Sequence, residues 1–199
     1  HMSYTPAEVS FLMDHHEEIA SLDLALTKAS RLKDAEVLKE KFGDFGRAVM
    51  ELVTARNSGK LPHNWLMDAD SAQQATPTGV AVYRMSFLAE QGVHTVHDLT
   101  CSIGTEGYNC PLDYFGSDLD ESRVRMARYN LSSANIFRAD ALTTTTTADV
   151  LLADPARRAG GRRITRPEDL VPPLPEVVDK HRGKELAIKC APGLDFSEW

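Results

Sequence analysis

Leu151-Leu152-Ala153-Asp154-Pro155-Ala156-Arg157 reads as a buried strand that stops at an acidic residue followed by proline. In an open α/β sheet the chemistry lies beyond the carboxyl ends of the strands. Asp154 then puts a carboxylate, and Pro155 a rigid carbonyl, where a substrate would lie. Five arginines follow within ten residues: Arg157, Arg158, Arg162, Arg163 and Arg166. Taken alone, this is a turn with solvated charges. Three more acidic residues alter that weighing, because Asp98, Asp118 and Asp140 also close short strand-like stretches. One Asp at a strand end is commonly the cap of the next helix, but four in succession are harder to dismiss. Parallel strands finish at one edge of a sheet, so all four carboxylates are expected there. Such a cluster suits a ligand that carries a positive charge, hydroxyls and an amine.

The elements that must position these groups fall into two stretches. The first 75 residues read as helical. Thr5-Pro6-Ala7-Glu8 is a capping box with proline at the first helical position, and Val9, Leu12, Met13 and Ile19 follow roughly on one face. Further helices are expected over Ser21–Ser30, over Asp34–Phe42 with Gly43 as the stop, and after Asp44, where Phe45, Ala48, Val49, Leu52 and Val53 keep helical spacing. Asn57-Ser58-Gly59 ends that helix, and 60–75 read as irregular. Thr76-Pro77 opens another helix with Val80, Tyr83, Arg84, Phe87 and Leu88 on one face and Gly92 closing it. Strands then alternate with helices. The strands are expected near 94–98, 114–118, 135–137, 149–153 and 185–190, and the helices over Asp120–Asn130 and Leu174–His181. The Thr143–Thr147 run reads as an exposed connection. The fold class is therefore α/β, with a largely parallel sheet behind a small helical N-terminal domain. Domains are expected at 3–75 and 76–199.

Composition narrows the function classes. The chain has 199 residues, 42% hydrophobic and 26% charged, as in a globular protein. No apolar run approaches the ~20 residues of a membrane span. The N-terminus has no basic region followed by an apolar core. A cytoplasmic location without membrane contact is the expectation, and His1-Met2 reads as a tag scar. A net charge of −7 argues against broad nonspecific nucleic-acid binding, though not against a local basic patch. Cys101, Cys110 and Cys190 fit no zinc spacing and read as reduced thiols. His15-His16-Glu17-Glu18 lacks the second histidine of a metalloprotease helix, since Ala20 stands there. No metal is expected.

Asp98-Leu99-Thr100-Cys101-Ser102-Ile103-Gly104-Thr105-Glu106 resembles motif I of class I S-adenosylmethionine-dependent methyltransferases. Gly116-Ser117-Asp118-Leu119-Asp120 resembles their acidic second motif, Arg138-Ala139-Asp140-Ala141-Leu142 the third, and Asp154-Pro155-Ala156-Arg157 the fourth. Gln74-Ala75-Thr76-Pro77, Asp154-Pro155-Ala156-Arg157-Arg158, Gly161-Arg162-Arg163 and Lys189-Cys190-Ala191-Pro192-Gly193 are similar, more narrowly, to bacterial methyltransferases with a C-terminal THUMP-like domain. The resemblance implies a Rossmann-like sheet and S-adenosyl-L-methionine as cofactor. It places Asp98 and Thr100 near the methionine end, with the backbone from Ser102 to Thr105 around it and Gly104 small enough to let it approach. Asp118, with Leu119 beside it, would take the ribose hydroxyls, and Asp140 with Ala141 would face the adenine. Asp154 and the Pro155 carbonyl would face the substrate as the catalytic pair. Arg157, Arg158, Arg162 and Arg163 would bind it, with RNA and an exocyclic base amine as the implied acceptor.

The chain departs from the family pattern in four places. Ser102 stands where many members have the first glycine. The short segment 106–118 with Pro111 implies a stunted first helix. Ala156 and Arg157 replace a second proline and a base-stacking aromatic. The chain also stops after the strand at 185–190, short of the family's last strands and of a THUMP-like domain, which suggests a truncated sheet and a homodimer through an exposed edge. Two other readings stay open. One is a noncatalytic S-adenosylmethionine-binding or regulatory module. The other is a nicotinamide-dependent oxidoreductase, whose G-x-G-x-x-G loop is here reduced to Ser102, Gly104 and Gly107. Trp65 and Cys101 read as packing residues, His94 and His97 as strand-face residues, and Tyr83 and Arg84 as residues that could approach the cofactor edge, with core packing an equal account of Tyr83.

Overall fold

The first helix forms because its start is chemically closed. Thr5 Oγ1 accepts the Glu8 N–H at 3.1 Å, and Glu8 Oε1 accepts the Thr5 N–H at 2.9 Å. The resulting helix α1 spans Pro6–Asp14 and buries Val9 and Leu12. Thr5→Ala removes one acceptor from an exposed helix start and should lower stability by about 1 kcal/mol. A reduced urea midpoint with an unchanged m-value is the expected readout.

The computed structural model describes residues 4–143 and 146–153, together with the backbone of 158–159, 162–163 and 185–188. The expected helix Leu174–His181 lies outside the described residues. After α1 come α2 (His16–Ala20), α3 (Arg31–Phe42), α4 (Gly46–Arg56), α5 (Ala69–Gln74), α6 (Thr78–Glu90) and α7 (Glu121–Asn130). The strands are β1 (Thr95–Asp98), β2 (Asp113–Asp118), β3 (Asn135–Arg138), β4 (Val150–Ala153), β5 (Arg158–Ala159), β6 (Arg162–Arg163) and β7 (Glu185–Ile188).

Three expectations are corrected here. The expected helix over Ser21–Ser30 is absent, and residues 22–27 are irregular. Asp34 Oδ2 accepts the Leu26 N–H at 3.0 Å and the Ser30 hydroxyl at 2.8 Å, while Thr27 and Ser30 bond one another. Such side-chain bonds compete with the helical ladder, and Leu26 takes a left-handed φ of 52°. The stretch expected to be irregular contains α5, opened by a reciprocal cap between Asp68 and Ser71. A capping box usually carries Glu or Gln at the third position, and here Ser71 fills that role. On α6 the period was right and the phase was wrong. Ala81 and Met85 are buried, whereas Val80, Tyr83 and Phe87 are exposed, Tyr83 by 75%. Apolar residues surround this helix on nearly every side, so spacing alone does not choose its buried face.

The main sheet has five strands in the order β3-β2-β1-β4-β7, and every pairing is parallel. This is a doubly wound α/β order, so the fold is Rossmann-like. A second, antiparallel pair joins β5 and β6, with Gly160 and Gly161 between them in sequence. At the amino edge of the sheet, Asp149 accepts the N–H groups of His94 and Thr95, and these bonds hold its carboxyl below the ordinary range. Thr95 Oγ1 in turn accepts the Asp149 N–H at 2.8 Å. These bonds pin β1 to the start of β4.

Register arranges the acidic strand ends as a staircase. Asp98 lies opposite Gly116, and Asp118 lies opposite Arg138. Each next carboxylate therefore sits one strand over and two residues further out, roughly 6.6 Å along the strand. One apolar cluster joins Leu12, Leu38, Leu52, Leu66 and Met67 of the helical segment to Ile103 and Met126. A second, with Met85, Val96, Tyr114, Val124, Ile136 and Leu152, fills the space around the sheet. Asn130, the last residue of α7, links the two stretches. Its Oδ1 accepts the Leu66 N–H at 2.7 Å, and its Nδ2 donates to Leu66 O at 2.9 Å and to Ile103 O at 3.0 Å.

Candidate functional site

A cavity of about 670 Å³ opens at the carboxyl edge of β1, β2 and β4. Open α/β sheets take ligands at this place, and the volume is that of a small-molecule or cofactor site. The structure brings Asp98, Thr100, Ser102, Asp118, Leu119, Asp140 and Ala141 together on its wall. Gly104 lies behind that wall. Its φ is +93°, and a Cβ there would come within 2.7 Å of the Leu131 side chain. This glycine serves the turn and the packing against α7.

Asp98 is 1% exposed and already has donors on both oxygens. The Tyr114 hydroxyl donates to Oδ2 at 2.6 Å, and the Thr100 N–H reaches Oδ1 at 3.3 Å. Burial, with Asp98 second, pushes the Tyr114 hydroxyl well above its ordinary pKa, so it stays a donor.

Asp118 is held at the tip of β2 by two backbone groups. Ser102 N–H donates to Oδ2 at 2.9 Å and Asp120 N–H to Oδ1 at 3.0 Å. Burial raises its pKa, against the lowering effect of those two N–H groups and of Arg123. Each oxygen keeps a lone pair for a ligand, so the carboxylate can accept two hydroxyl protons at once. Ser102 occupies a corner of the turn after β1 that would ordinarily be a glycine's. Its φ is +51°, a conformation that favours glycine. Serine is held there by its N–H bond to Asp118 and by Arg123, whose Nη1 donates to Ser102 Oγ at 3.1 Å.

Beyond Asp118 the wall includes apolar side chains. Leu119 is 57% exposed at the cavity, and Ala141 is buried against Leu99 and Leu151. Asp140 Oδ1 accepts the Leu142 N–H at 2.9 Å, which closes the turn after β3. Cys101 is a buried filler whose thiol burial pushes well up, which suits packing rather than nucleophilic attack. Trp65 is buried beside Tyr108, and His97 is buried against Ser117 at 2.8 Å.

Several wall residues carry no site role in the sequence reading. Asp70, Ser71 and Gln74 come from α5, so the helical segment supplies part of the cavity. Arg123 on α7 donates to Asp70 Oδ2 at 3.3 Å. Thr76, read as a helix cap, instead donates through Oγ1 to Glu106 Oε1 at 2.8 Å, and Arg84 Nη1 reaches the same oxygen at 2.8 Å. The only signal for Glu106 was its place at the end of the Asp98–Glu106 stretch. Glu106 sits inside a short 3-10 turn, Thr105–Gly107.

Asp154, Pro155 and Arg157 lie outside the described residues, as do the side chains of Arg158, Arg162 and Arg163. Among the described residues, no group of three or more His, Cys, Asp or Glu could hold a metal ion, and no helix is long and apolar enough to cross a membrane.

No protein-family model matches the chain. Over 178 residues, 81% of this chain, it is 39% identical to an uncharacterized S-adenosylmethionine-dependent methyltransferase of Mycobacterium tuberculosis strain CDC 1551 / Oshkosh. The same identity and coverage hold for the protein of that description from strain ATCC 25618 / H37Rv. The chain spans about half the length of these curated relatives, 49%. Among solved structures it is similar to an S-adenosylmethionine-bound amino pentose methyltransferase from Micromonospora echinaspora. That match has 13% identity and a TM-score of 0.43, over 61% of this chain and 53% of that one.

Proposed function

We infer that the cavity binds S-adenosyl-L-methionine and that the chain is the cofactor-binding part of a methyltransferase acting on RNA. The observation that carries the cofactor reading is Asp118, a carboxylate at the end of the second strand, aimed by two backbone N–H groups and still able to accept a ribose diol. Supporting it are the apolar wall of Leu119 and Ala141 beside Asp140, which suits an adenine and its amino group. The 39% identity to the mycobacterial proteins supports the same reading. In this account residues 76–199 hold the cofactor, and 3–75 add one wall through Asp70, Ser71 and Gln74.

S-adenosylmethionine, once bound, supplies a methyl group already activated by its sulfonium. The protein's work is then alignment and exclusion of water. The Ser102–Thr105 turn and α5 close two sides of the cavity. Asp98, oriented by Tyr114 and Thr100, stands on the wall where the cationic end would lie. Asp154 and the Pro155 carbonyl follow β4 directly in sequence. If the acceptor is an exocyclic amine, they can accept its hydrogens and turn its lone pair toward the methyl group. Arg157, Arg158, Arg162 and Arg163 supply the cations that phosphates require.

The RNA assignment rests on that arginine-rich sequence and on family resemblance. Its test is transfer of a radiolabelled methyl group to total bacterial RNA, by this chain and by a full-length mycobacterial relative. Ribonuclease-sensitive label is the expected result. Cofactor binding with no label in RNA from either protein would reject RNA as the acceptor and favour the noncatalytic reading.

A further inference from the structure

Six acidic side chains border the cavity, and five of them are accounted for. Asp98 and Asp118 have a donor on each oxygen. Asp70 receives Gln74 on one oxygen and Arg123 on the other. Asp120 caps α7, and Asp140 closes its own turn. Glu106 is different. It is 7% exposed, and both of its donors, Thr76 and Arg84, converge on Oε1. Its Oε2 is buried and has no hydrogen-bond partner among the described residues. Arg84 meets the carboxylate end-on through Nη1 at 2.8 Å rather than gripping both oxygens. A buried carboxylate oxygen left without a donor is unfavourable, and native structures rarely keep one without a reason.

The charge balance points to what completes it. Asp98 at the end of β1 and Glu106 in the turn that follows both line the cavity. Arg84 neutralises one of them. One buried carboxylate oxygen, Glu106 Oε2, remains an unfilled acceptor. The complementary group is a cation that carries N–H donors. Within the S-adenosylmethionine reading, on which this step rests, the sulfonium has no hydrogen to donate and the α-ammonium has three. Asp140 and Asp118 stand on the β3 and β2 side, and Glu106 lies in the turn after β1, held to α6 through Arg84. Glu106 itself lines the cavity, and its Oε1 is held by Thr76 and Arg84.

We propose that Glu106, through Oε2, receives the α-ammonium group of the methionine arm, with Thr76 and Arg84 holding Oε1 to aim it. Glu106→Gln keeps an acceptor for Thr76 and Arg84 but replaces the second oxygen with an NH2 group, which opposes an ammonium. Calorimetric titration of the 199-residue chain with S-adenosylmethionine and with 5′-methylthioadenosine reads the difference. The latter keeps the adenosine and the sulfur but lacks the amino-acid arm. Glu106→Gln should weaken the first ligand roughly tenfold or more, the scale of one charge-assisted hydrogen bond, and leave the second unchanged. If the variant weakens neither ligand, or weakens both alike, Glu106 is a structural residue and the inference fails while the cofactor reading stands. If the parent chain binds neither ligand, the cofactor reading itself fails.

Discussion

Asp118→Ala weakens S-adenosylmethionine binding by about a hundredfold or more in this account. A carboxylate that accepts two hydroxyl protons makes two charge-assisted bonds, each contributing about 1.5–3 kcal/mol, and each 1.4 kcal/mol is a factor of ten. The variant also leaves the N–H groups of Ser102 and Asp120 without their acceptor, so the Ser102 turn loses its anchor. A pH series gives an independent check. Burial raises the Asp118 pKa above the ordinary carboxylate value. For a raised acid, the contribution to folding is fully present below the unfolded pKa and is lost as pH rises through the folded one. Ligand binding runs the other way, because only the ionised form accepts both hydroxyls. Affinity should therefore fall as the medium is acidified through that raised pKa. The Asp118→Ala variant, weak throughout, should show no such step. A parent affinity that stays flat across that range would remove Asp118 from the ribose role.

Asn130→Ala is expected to destabilise the fold by about 2–4 kcal/mol, since one side chain makes three bonds to backbone groups and its loss leaves those groups unsatisfied. The partners belong to different stretches: Leu66 lies in the irregular run before α5, and Ile103 lies in the turn after β1. The variant should thus loosen the helical segment and the cofactor turn together. Urea unfolding measures the first effect. A weaker affinity for S-adenosylmethionine, measured at a temperature where the variant is still folded, measures the second. A loss of stability below about 0.5 kcal/mol would show that the two stretches are not coupled through this residue.

Much of the sheet was legible because its signals are local. Short apolar stretches closing on Asp98 and Asp118 fall within a residue or two of β1 and β2, and the spacing of elements gave the parallel α/β class. The helix after Asp120 was equally plain, since Asp120 is both the strand's successor and the cap of α7. What sequence did not reveal depends on partners distant along the chain. Thr76 looked like a cap and is spent on Glu106, thirty residues away. Gly104 looked like room for a ligand, and that room is taken by Leu131. Ser102 looked like a departure from a glycine loop, but it occupies the left-handed conformation that a glycine would, held by Asp118 and Arg123. The acidic staircase needs strand register, which a linear reading cannot supply. The α6 face needs tertiary packing to choose among apolar sides.

The most direct test of the central claim is a calorimetric titration of the chain with S-adenosylmethionine and, separately, with NAD. Saturable binding of S-adenosylmethionine at one site, with no heat of binding for NAD, is the predicted result. Binding of NAD, or no binding of S-adenosylmethionine, would contradict it.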